Sequence, residues 1–365
     1  MSLMPGVADR MIAARVLVTL CAVWVVLTGF DAITALADEL GSVGTGDYGF
    51  TQALIYILFT LPRRAYNLFP TSAVIGALLG MGALAATSEL TALRALGLSR
   101  SRISAAAVVV IAVLTLAMTG VAETIGPAGE AYAQSFALRA KSSEVGSTLR
   151  AGLWARDGQT FLNAKHGRSS GRGADASIEL DDVTLYEFDS IGRLESMAWA
   201  GRASHRDGSW TLHDIHRARF GRSEVQSQNV AEERWDSALN PDVLKLGVAK
   251  PRYLRLSELD EGLDYMERNQ LDSAEFSTAF WSRIFYPFST IALCLAALPF
   301  AFGTLRSGGF GKRLFLGVVF GVGMFTIQTL VVNLAQVYHL PLPMAYSLPP
   351  LLVAAVSWWH FRRAF

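Results

Sequence analysis

Six apolar runs, nearly free of charge, set the terms for this chain: Val16–Ala37, Leu68–Ala86, Ile103–Ala122, Phe276–Phe302, Leu314–Val337 and a shorter, proline-bounded Met344–Trp359. A bilayer's hydrocarbon core is about 30 Å thick, and a helix rising about 1.5 Å per residue crosses it in roughly 20 residues. The runs therefore predict six transmembrane helices. Between the third and fourth the character reverses: 41 of the 63 charged residues fall between Glu130 and Arg268. One polar domain interrupts a membrane protein.

Composition excludes some classes at once. The chain is 52% hydrophobic and only 17% charged, which is not the balance of a soluble enzyme. Lys plus Arg number 32 against 31 Asp plus Glu, so no field exists to recruit nucleic acid. Cys21 and Cys294 both lie inside apolar runs and make no disulfide framework.

Orientation follows from Lys and Arg at span ends, which resist translocation. Arg10 and Arg15, then Arg94, Arg100 and Arg102, then Arg306, Lys312 and Arg313, and finally Arg362 and Arg363 all mark one side as cytoplasmic. Asp38, Glu39 and Asp47 follow the first span on the other side. Arg63 and Arg64 are exceptions, in a segment placed outside, just before the second span. Both termini are then cytoplasmic and the polar insert is extracytoplasmic. The apolar run before Ala35-Leu36-Ala37 is too long for a signal peptide and is kept as a span.

The insert reads as β structure. Ile178–Phe188, Arg193–Ala200 and Trp210–Phe220 alternate as strands, with Asp189–Gly192 and Arg206–Ser209 as hairpin turns. Strands at roughly 10-residue spacing favour a sandwich or jelly-roll-like domain. Ser257 is a plausible N-cap for a helix leading back to the membrane. The domains are thus 1–129 with three spans, 130–270 with the β domain and its connecting helix, and 271–365 with three more spans. His213 and His216 sit three apart in a strand, which should send them to opposite faces and make no metal pair. No nucleophile elbow, zinc-protease signature or Walker glycine loop occurs, so energy must come from a partner or a gradient.

Within the spans, Gly76, Gly80 and Gly82, and Gly317, Gly321 and Gly323, put small residues where helix backbones can approach closely. Pro287 and Pro299 should bend the fourth span. Asp31 is the only acid well inside a span, near its outer end. Between spans two and three, residues about 88–97 predict a short helix: Ser88 as N-cap, Glu89 at the positive dipole end, Gly97 as a left-handed stop. Leu90, Leu93 and Leu96 form an apolar edge beside Arg94. A rigid cytosolic lever of this kind suits a transporter driven by a separate motor subunit.

Several stretches carry a family likeness. They are Phe69-Pro70 with Gly76-Ala-Leu-Leu-Gly80-Met-Gly82; Ser88-Glu89-Leu90; Glu123 with Pro127-Ala-Gly129-Glu130; Gly152-Leu-Trp-Ala-Arg-Asp-Gly158; Trp281-Ser-Arg-Ile-Phe-Tyr-Pro287; and Phe302-Gly-Thr-Leu-Arg306-Ser. With them the chain resembles the lipopolysaccharide (LPS) export permeases, the LptF/LptG family, and the Gly152–Gly158 run favours its LptG branch over LptF. The resemblance implies a catalytically inactive permease subunit in a Gram-negative inner membrane. It implies pairing with LptF, two copies of the ATPase LptB that bind ATP and Mg in place of any cofactor here, LptC, and a periplasmic jelly-roll bridge through LptA. LPS would be extracted from the periplasmic leaflet and passed to that bridge. By the same likeness Glu89 matches the coupling-helix acid, with Leu90, Leu93, Arg94 and Gly97 around it. Arg63 matches a basic rim position for the phosphorylated lipid, and Arg64, Arg139 and Lys141 join it by placement. The lysines that some family members carry at the outer end of the first span correspond here to Ala35, Gly41 and Ser42. A membrane-bound lipid-modifying enzyme and a proton-coupled secondary transporter are the competing classes; the spans offer few clustered polar groups for the first and no evident inverted repeat for the second.

Overall fold

The computed structural model describes residues 6–141, 153–170, 177–206, 209–221, 224–237, 239, 251–302 and 310–363. They divide into two compact units: a helical one from residues 1–140 and 277–365, and one from residues 141–276.

The helical unit opens with α1 (Val7–Leu40) and α2 (Phe50–Ala86), a short α3 (Glu89–Ala95), then α4 (Arg100–Glu123) and α5 (Ile125–Lys141). Among the described residues, five helical stretches are long and apolar enough to span a bilayer, and Leu342–Ser357 is a shorter apolar helix. The sequence places the second span at Leu68, yet α2 starts at Phe50 and runs unbroken through Pro62 and Pro70. At about 55 Å it outruns the hydrocarbon core, so Arg63 and Arg64 lie on a helix, not in a loop. The third span likewise continues past Ala122: α4 and α5 together form one stretch from Arg100 to Ala137, interrupted at Thr124.

Glycines set the tightest crossings. A Cβ on Gly76 would fall 2.4 Å from Leu20 Cα, and one on Gly80 would fall 2.6 Å from Thr19 Oγ1. Thr19 Oγ1 donates to the Gly76 carbonyl across this contact at 2.9 Å. Without a Cβ the two backbones meet directly, the arrangement by which small residues join helices in lipid. Gly82 is buried on the same helix. On the far side of α2, Gly317 faces Leu78 and Gly321 faces Val74, so these four glycines serve contacts within the chain.

The second unit is one antiparallel sheet in chain order: β1 (Leu153–Asp157), β2 (Thr160–Ser170), β3 (Ser177–Phe188), β4 (Leu194–Arg206), β5 (Ser209–Phe220) and β6 (Val225–Trp235). Its inner face carries Leu162, Val183, Leu185, Ala198, Trp210 and Leu212. Along one line across the sheet the in-and-out alternation slips by a residue. Leu180 and Val183 are both buried, as are Ala200 and Ala203, and Leu212 and Ile215. Between each pair lies the line itself, with Asp182 and Asp214 in left-handed backbone conformation and Gly201 between them on β4. The sheet is creased there.

The crease corrects the histidine reading. Asp214 resets the alternation between His213 and His216, so both face away from the core. His213 meets Ser204 and Glu232, while His216 bonds Asn229 at 2.8 Å and stacks on Trp199.

Helix α6 (Leu256–Arg268) closes the unit, with Arg255, not Ser257, at its N-cap: the Arg255 N–H donates to Glu258 at 2.7 Å. Tyr265 and Asn269 secure the β1 edge through Arg156 and Gly158. The chain then continues through α7 (Ala274–Ala297), a 3-10 turn (Leu298–Phe302), α8 (Phe310–Val337) and α9 (Leu342–Arg363). Pro287 is accommodated within α7, whereas Pro299 falls where α-helix gives way to 3-10.

Candidate functional site

The first candidate site is α3. Leu90 and Leu93 are 4% and 8% exposed and pack into the core formed by α1, α2 and α4. That fixes the seven-residue helix against the bundle. Leu96 departs from the expected apolar edge: it is 78% exposed and points away with Thr91, Ala92 and Arg94. Ser88 also departs from its expected role. Its backbone is left-handed (φ 61°) and its side chain makes no cap; Thr87 Oγ1 instead donates to Glu89 at 2.9 Å. Gly97 stops the helix at φ +87°, a conformation that costs glycine little. Leu98 N–H closes back onto the Leu93 carbonyl.

The second lies at the opposite end of the bundle, where three ion pairs join five helices. Arg64 meets Asp31 at 2.9 Å, linking α2 to α1. Arg63 meets Glu130 at 2.6 Å, linking α2 to α5. Arg283 meets Glu123 at 3.0 Å, linking α7 to α4, and also donates to the Ala122 carbonyl. Tyr66 and Tyr286 stack beside them with ring centroids 4.1 Å apart.

This arrangement revises the basic rim. Arg63 and Arg64 are not standing cations; each is matched by a carboxylate. The two arginines are equally exposed, at 21% and 20%, and their partners differ: Glu130 is 2% exposed, whereas Asp31 is 36% exposed. Asp31, read from sequence as a solitary intramembrane acid, is thus a counter-ion. Lys141 ends α5, and the Arg139 side chain lies outside the described residues. Sequence reasoning missed Glu130, Glu123 and Arg283 as partners. Their signal was present as acids and an arginine at span ends, but pairing across helices cannot be read from spacing. Among the described residues no three His, Cys, Asp or Glu side chains are gathered to hold a metal.

A multi-span bundle with a β insert, a short helix buttressed at one end and ion-paired helices at the other defines a membrane permease. Comparison with known proteins specifies which kind. The family described as "Lipopolysaccharide export system permease LptF/LptG" matches residues 10–363, and the chain belongs to it. It is 31% identical over 363 residues to the Haemophilus influenzae lipopolysaccharide export system permease protein LptG, covering 97% of this chain and 98% of the relative. It is 29% identical to the LptG of Escherichia coli K12, covering 98% of each. The protein is a permease subunit of lipopolysaccharide export and a multi-pass membrane protein of the kind found in the inner membrane.

Proposed function

We propose that this chain is the LptG-type subunit, paired with LptF, joined by LptC and driven by an LptB dimer that supplies ATP hydrolysis. LPS is drawn from the periplasmic leaflet and delivered to a jelly-roll bridge continued by LptA. The termini and α3 are cytoplasmic and the β insert is periplasmic. The observation that carries this reading is α3: buried Leu90 and Leu93 fuse it to the spans, so a push on its free face reaches α2 and α4 as a rigid displacement. Glu89 is the ion-pairing contact for the motor. Both named relatives above are LptG proteins, which supports LptG over LptF.

At the outer rim, Arg63 and Arg64 are the phosphate ligands, Arg64 the more readily released because its partner Asp31 is itself open to solvent, with Arg139 and Lys141 along α5. Bidentate hydrogen bonding suits arginine to phosphate. The test is purification of a tagged chain from cells expressing all candidate partners, followed by ATPase and LPS-release assays on Glu89→Arg. The expected result is an assembled complex that hydrolyses ATP without releasing LPS. Normal release by the variant complex, or a chain that copurifies with no ATPase, overturns the proposal.

A further inference from the structure

The α3 end of the bundle also holds a cavity that the export reading does not use. Three features create it. Pro299 cannot donate to the helical ladder, and α7 loosens there into a 3-10 turn. Helix α8 passes beside this turn, with Phe300 and Phe320 rings 5.5 Å apart. Helix α9 descends past both. Together they border an open-sided pocket of about 520 Å³, lined by Pro299, Phe300, Phe320, Met324, Leu352 and Val356 among others. The one hydroxyl in the lining, Ser357 Oγ, already donates to the Val353 carbonyl at 2.8 Å. Water needs two to four polar partners to be held in a cavity, and this wall offers almost none. Inside a bilayer, hydrocarbon is the natural filling.

Depth and charge specify whose hydrocarbon. Along α8, Phe320 and Met324 lie roughly 11–18 Å beyond Lys312 and Arg313. Along α9, Leu352 and Val356 lie roughly 9–17 Å before Arg362 and Arg363. Both helices therefore put the cavity in the interval that an acyl chain occupies beneath its headgroup, half a core being about 15 Å. The helix ends at headgroup level carry four positive residues, and no Asp or Glu follows Glu275 anywhere in the sequence.

We propose that this cavity is a binding site for one acyl chain of an anionic phospholipid, its headgroup at the level of the helix ends whose sequence carries Lys312, Arg313, Arg362 and Arg363. On the orientation proposed above, the lipid comes from the cytoplasmic leaflet, across the membrane from the LPS that is exported. The site does not otherwise rest on the export reading.

The test uses the purified permease complex in nanodiscs containing phosphatidylglycerol with a photoreactive group at mid-chain. Crosslinks are expected to concentrate on residues 296–302, 320–324 and 352–357 over Val25, Val26 and Phe30, which α1 leaves exposed. Filling the cavity by Val353→Phe, or from the other wall by Met324→Trp, displaces at least two methylenes and should cut crosslinking there about tenfold. Arg362→Gln with Arg363→Gln should leave the mid-chain crosslinks but remove the preference for phosphatidylglycerol over a phosphatidylcholine probe. Assembly of each variant is checked by gel filtration, and either filling variant suffices. Crosslinks spread evenly over α1 and α8, unchanged labelling in an assembled filled variant, or a partner peptide captured at these positions in place of lipid would each overturn the proposal.

Discussion

Arg63 Nε donates to Glu130 Oε2 at 2.6 Å, and the Glu130 side chain is 2% exposed. The pair is buried because α5 lies hard against α2: a Cβ on the neighbouring Gly129 would fall 2.4 Å from the Phe59 carbonyl oxygen. Gln134 donates to the other carboxylate oxygen at 3.2 Å. A phosphate approaching Arg63 must compete with a carboxylate already desolvated and doubly bonded. At Arg64 it competes only with the half-open Asp31.

Removing the buried acid should therefore weaken the fold. Glu130→Ala removes the acid that Arg63 pairs with, and breaking a buried ion pair from one side costs several kcal/mol. With Arg63 still one-fifth exposed, a loss of about 2–3 kcal/mol is expected. Thermal unfolding of the detergent-solubilised complex checks this, and a melting temperature equal to wild type would deny the pair a structural role.

Asp31 should behave in the opposite way toward ligand. Asp31→Asn removes the competitor for Arg64 while Thr60 Oγ1 still orients the guanidinium through its Nε. Exposed ion pairs contribute at most about 1 kcal/mol, so retention of a phosphorylated glycolipid should rise up to about fivefold. Arg64→Gln should lower it. Binding of LPS and of its dephosphorylated form to each variant separates a charge effect from a general loss of affinity.

The close helix crossings make a paired prediction. Gly129→Ala and Gly76→Ala each force backbones apart and should destabilise by about 1–3 kcal/mol, as overpacking does. Gly120→Ala has nothing within 4 Å of its new methyl and should be neutral or slightly stabilising. Expression and melting of the three variants side by side would show the split, and equal behaviour would refute it.

Spans and the all-β insert were legible because bilayer thickness and strand alternation both write a period into sequence. Strand β6 escaped notice, since Val225–Trp235 is almost wholly polar and exposed and carries no alternation. The crease escaped for a related reason: a left-handed Asp182 or Asp214 looks in sequence like any turn former and breaks the two-residue rule silently. At the rim, residue types were readable but partners were not, because Arg63 and Glu130 are 67 positions apart. The α3 stop at Gly97 was legible because a left-handed residue after a helix selects glycine.

In the insert, the His205 ring lies 5.0 Å from Trp210, tilted at 59°, and its Nδ1 is buried without a partner among the described residues. Burial lowers its pKa below 6.5, since the charged imidazolium loses hydration. The unfolded chain then binds a proton that the folded domain resists, so stability is complete above about pH 6.5 and declines as pH falls toward the folded pKa. His205→Phe should flatten that decline. Hydrogen exchange of β4 and β5 peptides in the full protein, at pH 7.5 and at pH 5.5, is the measurement; an equal acid response in the variant would exclude His205 as the cause.

Leu90 and Leu96 should separate folding from docking on α3. Leu90→Asp buries a charge in the bundle core, where Leu90 is 4% exposed, and is expected to prevent stable insertion. Leu96→Asp changes a side chain that is 78% exposed and touches little of its own chain, so the protein should melt as wild type does. Burying a leucine side chain contributes about 1.5–3 kcal/mol. If Leu96 anchors the ATPase, the variant should therefore hold that partner at least roughly tenfold more weakly. Retention of the ATPase on tagged chain at rising salt reads this directly: an apolar anchor is lost at every salt concentration, whereas loss of the Glu89 charge matters most at low salt. Full retention by Leu96→Asp would leave Glu89 and Arg94 as the contacts on which coupling depends.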